Sequence, residues 1–112
     1  MTRSKTLWIK DEFLQAILQG QKTVEIRVGY SNINRLNPGD RLLLNDRHLY
    51  EITAIRRYPD FAVMAAAENP TAIAPDLADA QALLAACRAI YPPEKEALGV
   101  VALEIKPAQN NT

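Results

Sequence analysis

Cysteine and histidine each occur once in the chain, as Cys87 and His48. A lone cysteine excludes an intramolecular disulfide, and with one histidine it leaves no Cys/His spacing for a structural zinc site. One histidine also excludes a paired-histidine acid–base scheme for RNA cleavage. Net charge is missing as well, since 13 Lys and Arg stand against 13 Asp and Glu. No overall field therefore draws the protein to a nucleic-acid backbone or an acidic membrane. The most apolar stretches, Ala62–Ala67 and Leu83–Ala86, are interrupted by Glu, Asn, Pro and Asp. They fall far short of the ~18 residues that read as a membrane span. The opening MTRSKTLWIK lacks the apolar core of a signal peptide. There is no internal repeat and no Gly/Ser- or Pro-rich linker.

The composition that remains is ordinary for a globular protein, 48% hydrophobic and 23% charged over 112 residues, enough for one core without covalent staples. The expectation is one domain over residues 1–112 with a frayed polar tail at 107–112, PAQNNT. It is expected to be cytoplasmic, with no membrane, no metal and no cofactor.

Leu7-Trp8-Ile9 reads as a short strand or a lid. Asp11 and Glu12 then suit a helix N-terminus, and Phe13, Leu14, Ile17 and Leu18 form one apolar stripe closed by Gly20. The segment from Lys22 to Val28 alternates with period two. It puts Val24, Ile26 and Val28 toward the core and Thr23, Glu25 and Arg27 on the other side. Asn37-Pro38-Gly39-Asp40 predicts a turn, with a hairpin of Arg41–Leu44 and His48–Tyr58 after it. Asp60 caps a short helix over Phe61–Ala67, and Pro70 and Pro75 break the chain beyond that helix. Asp76 or Asp79 starts another helix, with Leu77, Ala80, Leu84, Cys87 and Tyr91 near one face. Pro92-Pro93 ends it, one more helical turn runs to Leu98, and Val100–Ile105 reads as a central strand. The order α-β-β-β-α-α-β predicts an α+β fold with a curled, barrel-like sheet.

Chemistry concentrates in Gly20-x-Lys22-x-x-Glu25-x-Arg27. In an extended chain Glu25 and Arg27 share a face, with Lys22 at the strand's mouth. One reading is a solvated or cross-strand ion pair. The other is a polar cluster in a cleft, where the carboxylate accepts from a base and the cations grip phosphate or polarise a carbonyl. Arg35, Arg41, Arg47, Arg56 and Arg57 either rim that cleft or belong to a mixed surface. Trp8 is read as packing over the first helix, with a stacking platform as the alternative. Tyr91 and Cys87 are read as core, and His48 as a surface histidine.

The same motif resembles the GxKxxExR signature of the ASCH domain, a family related in fold to PUA RNA-binding domains. The Leu36–Asp40 turn, the Ile55-Arg56-Arg57-Tyr58-x-x-Phe61 step, Ala89-Ile90-Tyr91 and the closing Gly99–Ile105 extend the likeness over residues 7–106. The resemblance implies a PUA-like small β-barrel with flanking helices and a cleft on the motif strand. It implies that Lys22, Glu25 and Arg27 meet RNA or a nucleoside-like ligand there, with Tyr58 near the cleft to stack a base. The alternative is a hydrolase, either a ribonuclease or an amidohydrolase acting on N4-acetylcytidine. In amidohydrolases of this family the motif Lys and a Thr three residues on are catalytic, with a distant Glu assisting. Lys22 matches the Lys and Glu68 is the candidate for the distant Glu, but Glu25 stands where the Thr would be. A carboxylate there cannot form the hydroxyl's acyl intermediate.

Overall fold

The structure is a computed structural model and describes residues 3–77 and 79–108. Its elements run β1 (Ser4–Leu7), α1 (Asp11–Leu18), β2 (Val24–Val28), α2 (Ser31–Asn34), β3 (Arg41–Leu44) and β4 (His48–Tyr58). Next come α3 (Phe61–Ala67), α4 (Pro70–Ile73), α5 (Ala80–Ile90), α6 (Pro93–Glu96) and β5 (Val100–Pro107). The five strands form one curled sheet in the order β1-β3-β4-β5-β2, parallel between β1 and β3 and antiparallel elsewhere. This half-barrel with helices on it is the expected α+β fold.

Local chemistry accounts for most boundaries. Asp60 and Asp79 cap α3 and α5 by accepting from the Val63 and Ala82 N–H groups, each at 2.8 Å. Gly20 ends α1 at φ +80° with open space around its Cα, so its role is the left-handed stop and not close approach to a neighbour. Gly39, at φ +94°, takes the second central position of the Asn37–Asp40 turn, closed by Asp40 N–H to the Asn37 carbonyl at 3.0 Å.

The sheet separates two apolar layers. On one face α1 covers Leu42, Leu44, Ile52, Val101 and Leu103. On the other, α3 and α5 cover Val24, Val28, Val100 and Ala102 with Phe61, Met64, Leu83 and Cys87. Val24, Ile26 and Val28 thus face a core as expected, and β5 is the expected central strand, buried along most of its length.

Several expectations give way. The short strand expected at Leu7–Ile9 lies earlier, as β1 at Ser4–Leu7, and α2 and α4 form where the sequence reads as loop or break. Residues 70–73 are helical because Pro70 occupies the first turn, where a missing N–H costs nothing, and Asn69 caps it. The hairpin itself holds to its expected bounds, with His48 the first residue of β4 and paired with Leu44. Pro107, expected in the polar tail, closes β5, and the Ala108 N–H donates to the Leu49 carbonyl at 3.0 Å. Residues 109–112 lie outside the described residues. Among the described residues no helix is long and apolar enough to cross a membrane.

Candidate functional site

β2 is an edge strand, and the cleft lies along its free side. The cleft has a volume of about 460 Å³, and its walls come from α5 and from the segment that enters α1. That is within the ~300–1,000 Å³ range of small-ligand sites. Lys22, Glu25 and Arg27 all line it, together with Trp8, Ile26 and Tyr91.

Lys22 is 4% exposed, an unusual position for a lysine. Its Nζ donates to the Ile73 carbonyl at 2.6 Å and the Val24 carbonyl at 2.8 Å, and pairs with Glu25 Oε1 at 3.1 Å. Two of the three ammonium hydrogens go to carbonyl oxygens, and the Glu25 carboxylate is the third contact, an ion pair. The Phe13 ring lies 5.7 Å away and adds a cation–π contact. Lys22 therefore ties β2 to α4 and holds Glu25 from a buried position.

Glu25 is held from both sides. Oε1 meets Lys22, while Oε2 accepts from Arg27 Nε at 3.0 Å and Nη2 at 2.7 Å. Arg27 Nη2 also donates to the Trp8 carbonyl at 3.1 Å. Arg27 Nη1 makes no hydrogen bond among the described residues, so the guanidinium offers two further N–H donors at the cleft. Glu25 and Arg27 are thus an ion pair and cleft-lining residues at once.

Trp8 corrects the expectation of a packed indole: it is 66% exposed. It is positioned from the far side of the sheet. In the β3–β4 turn, Asn45 grips Ile9 twice, accepting its N–H at 2.7 Å and donating Nδ2 to its carbonyl at 2.9 Å. Sequence separation hides this clamp. Tyr91 stacks on Phe61 with ring centroids 5.8 Å apart and contributes a wall.

Tyr58 is not brought to this cleft. Its hydroxyl donates to Glu68, whose carboxylate is gripped by Arg56 Nε at 2.6 Å and Nη2 at 2.9 Å, while Arg56 Nη1 reaches Glu104 at 2.9 Å. Glu68 belongs to this second cluster and not beside Lys22. The Arg56 hydrogen bonds hold the Glu68 carboxyl below the usual carboxylate range, against the opposing effect of burial. Burial first, then the bond to Glu68, raises the Tyr58 phenol above its ordinary value. None of Arg35, Arg41, Arg47, Arg56 or Arg57 lines the cleft, so its cations are Lys10, Lys22 and Arg27. Among the described residues no group of three or more His, Cys, Asp and Glu side chains could hold a metal ion.

Cys87 lines the cleft but is buried, and burial pushes its thiol up to about 11. The thiolate is the reactive form. The native protein is therefore expected to resist an aromatic disulfide reagent at mildly alkaline pH and to react fully once denatured. Fast labelling of the native protein would contradict that placement.

The family model described as "ASCH domain" matches residues 7–109. The chain is similar to the crystal structure of the hypothetical protein PH0355, with TM-score 0.88 and 25% identity over 94% of this chain and 99% of that one. It is also similar to the solution NMR structure of protein PF0455 from Pyrococcus furiosus, with TM-score 0.75 and 28% identity over 98% of this chain and 100% of that one. No curated protein matches the sequence.

Proposed function

The chain belongs to the ASCH domain family, and on that premise we propose that the β2 cleft binds a nucleobase, presented by single-stranded RNA or by a free nucleoside. The observation that carries the reading is Arg27, with its guanidinium fixed by Glu25 and the Trp8 carbonyl and its Nη1 unengaged, in a cleft that the exposed Trp8 also lines. A pre-oriented guanidinium donates to a base carbonyl, ring nitrogen or phosphate. Glu25 keeps a lone-pair site for an exocyclic amine, and Trp8 supplies the stacking face on which single-stranded bases are held. Lys22 is a positioning residue in this scheme. Zero net charge implies little non-specific affinity and a shallow dependence on salt.

The test is a panel of the four common nucleosides and short single-stranded RNAs, read by calorimetry and by thermal stabilisation, which grows as RT ln(1 + [L]/Kd). Arg27→Ala is expected to weaken binding about 10- to 100-fold, the usual effect of removing a charged hydrogen bond. Trp8→Ala is expected to weaken it about 5- to 100-fold through lost stacking. Absence of binding at millimolar nucleoside, or affinity unchanged in both variants, refutes the reading.

Hydrolysis is the weaker reading. Lys22, which matches the catalytic lysine of the amidohydrolase type, is buried with two donors on carbonyls and an ion pair to Glu25, and Glu25 replaces the nucleophilic threonine. Turnover of N4-acetylcytidine or of labelled RNA in the same panel would overturn that ranking.

A further inference from the structure

The phase of hydrogen bonding along β2 decides which part of the base the cleft reads. The Ile105 N–H donates to the Thr23 carbonyl at 2.9 Å, and the Gly29 N–H to the Gly99 carbonyl at 2.9 Å. Antiparallel pairs alternate between bonded and non-bonded. Odd-numbered residues of β2 therefore turn their main-chain groups toward β5, and even-numbered residues turn theirs to the free edge. On that edge the Val24 carbonyl is capped by Lys22 Nζ at 2.8 Å and the Val28 carbonyl by the Tyr30 N–H at 2.9 Å. Between them, the Ile26 N–H and C=O are both unengaged among the described residues, and Ile26 lines the cleft.

We propose, resting on the nucleobase reading above, that the Ile26 N–H and C=O form the recognition element: an adjacent donor and acceptor that pair with the Watson–Crick edge of the base. The base lies in the plane of the sheet, where a sixth strand would lie. Every common base presents a neighbouring donor and acceptor on that edge, so two in-plane hydrogen bonds form without a side chain. The two layers of the fold supply the faces. Leu83, Cys87 and Ile90 of α5 stand on the Ile26 side-chain side, while Trp8 and Phe13 stand on the side of Glu25 and Arg27.

The capped carbonyls also decide what does not bind. An added peptide strand draws on alternate residues of an edge, here Val24, Ile26 and Val28. With both flanking carbonyls taken, only one residue's pair is open. That fits a planar ring with one donor–acceptor pair and not an extended peptide.

The experiment compares each nucleoside with its partner methylated on the Watson–Crick ring nitrogen: uridine with 3-methyluridine, cytidine with 3-methylcytidine, guanosine with 1-methylguanosine, adenosine with 1-methyladenosine. The Ile26 amide resonance of the ¹⁵N-labelled protein is followed throughout. For whichever nucleoside binds, the methylated partner is expected to bind tenfold or more weakly, the effect of blocking a bond and leaving its buried partner unmatched. The Ile26 amide should shift on binding of the parent and stay in place with the methylated form. Equal binding of the two, or an unmoved Ile26 amide, overturns this proposal and leaves the nucleobase reading standing. Failure of all nucleosides to bind removes both. An extended peptide of alternating Thr and Val that moves the Ile26 amide where nucleosides do not would replace the proposal with strand addition.

Discussion

Lys22→Met is expected to lower folding stability by about 3–5 kcal/mol, the usual cost of removing one partner from a buried ion pair. The methionine keeps most of the stem's volume, so the loss comes from polar groups and not from a cavity. Two buried carbonyls, Val24 and Ile73, lose their donor, and the Glu25 carboxylate loses one of its two cations. Urea unfolding should show a lower midpoint, with a fall in Tm of roughly 10–25 °C for a domain of this size. Adding Glu25→Gln to Lys22→Met should cost less than the two single changes summed, by about 1–3 kcal/mol, because the second change removes the charge that the first left unmatched. A Lys22→Met protein as stable as the parent would mean that the ammonium is not buried in its three contacts.

Arg56→Met is the second large effect. Glu68 has a side chain only 4% exposed, and Arg56 supplies two of its hydrogen bonds. The loss at neutral pH is expected at about 1–3 kcal/mol, the lower part of that range applying because Arg56 itself is a third exposed and its charge is screened. The pH dependence is the sharper signature. The folded-state pKa of Glu68 is depressed, so its contribution is present above the ordinary carboxylate range and lost as pH falls through the folded value. Without Arg56 the carboxyl loses the largest cause of that depression, and the acid loss of stability should begin at higher pH. The Tyr58 phenol is raised, so its contribution holds below the ordinary phenol range and fades as pH climbs through the folded value. Urea midpoints measured from acid to alkaline pH should therefore trace a plateau whose acid edge moves inward in Arg56→Met. Superimposable profiles for the two proteins would show that the cluster does not couple to stability.

The contrast between Lys22 and its neighbours shows what sequence can carry. Period-two alternation places Val24, Ile26 and Val28 on one face and Glu25 and Arg27 on the other, and the cap at Asp60 and the turn at Asn37–Asp40 have local signatures. Lys22 is different. Its burial depends on the Ile73 carbonyl, 51 residues away, at the end of a four-residue helix inside a stretch that reads as broken by prolines. Trp8 stands exposed next to Ile9, which Asn45 clamps from 36 residues away. β1 acquires its identity only by parallel pairing with β3. Tyr58 ends β4 and Glu68 follows α3, but Arg56 and the bond between them draw both into a cluster of their own. In each case the deciding partner is remote or lies on another element, and no periodicity or propensity encodes it.

The strand order also sets when the site comes into being. The β3–β4 hairpin closes locally, and β5 adds to β4 across a long loop. β2 meets its ladder partner only in β5, so Thr23 pairs with Ile105, some eighty positions along the chain. Pairings of that separation bear the largest loop-closure cost and tend to form late. During synthesis the motif strand leaves the ribosome well before its partner, and it has no ladder neighbour until residues 100–105 have emerged. The motif strand is made some eighty residues before its ladder partner, and the cleft is among the last parts of the domain to assemble. A partly synthesised or partly folded chain would thus carry the motif without the cleft.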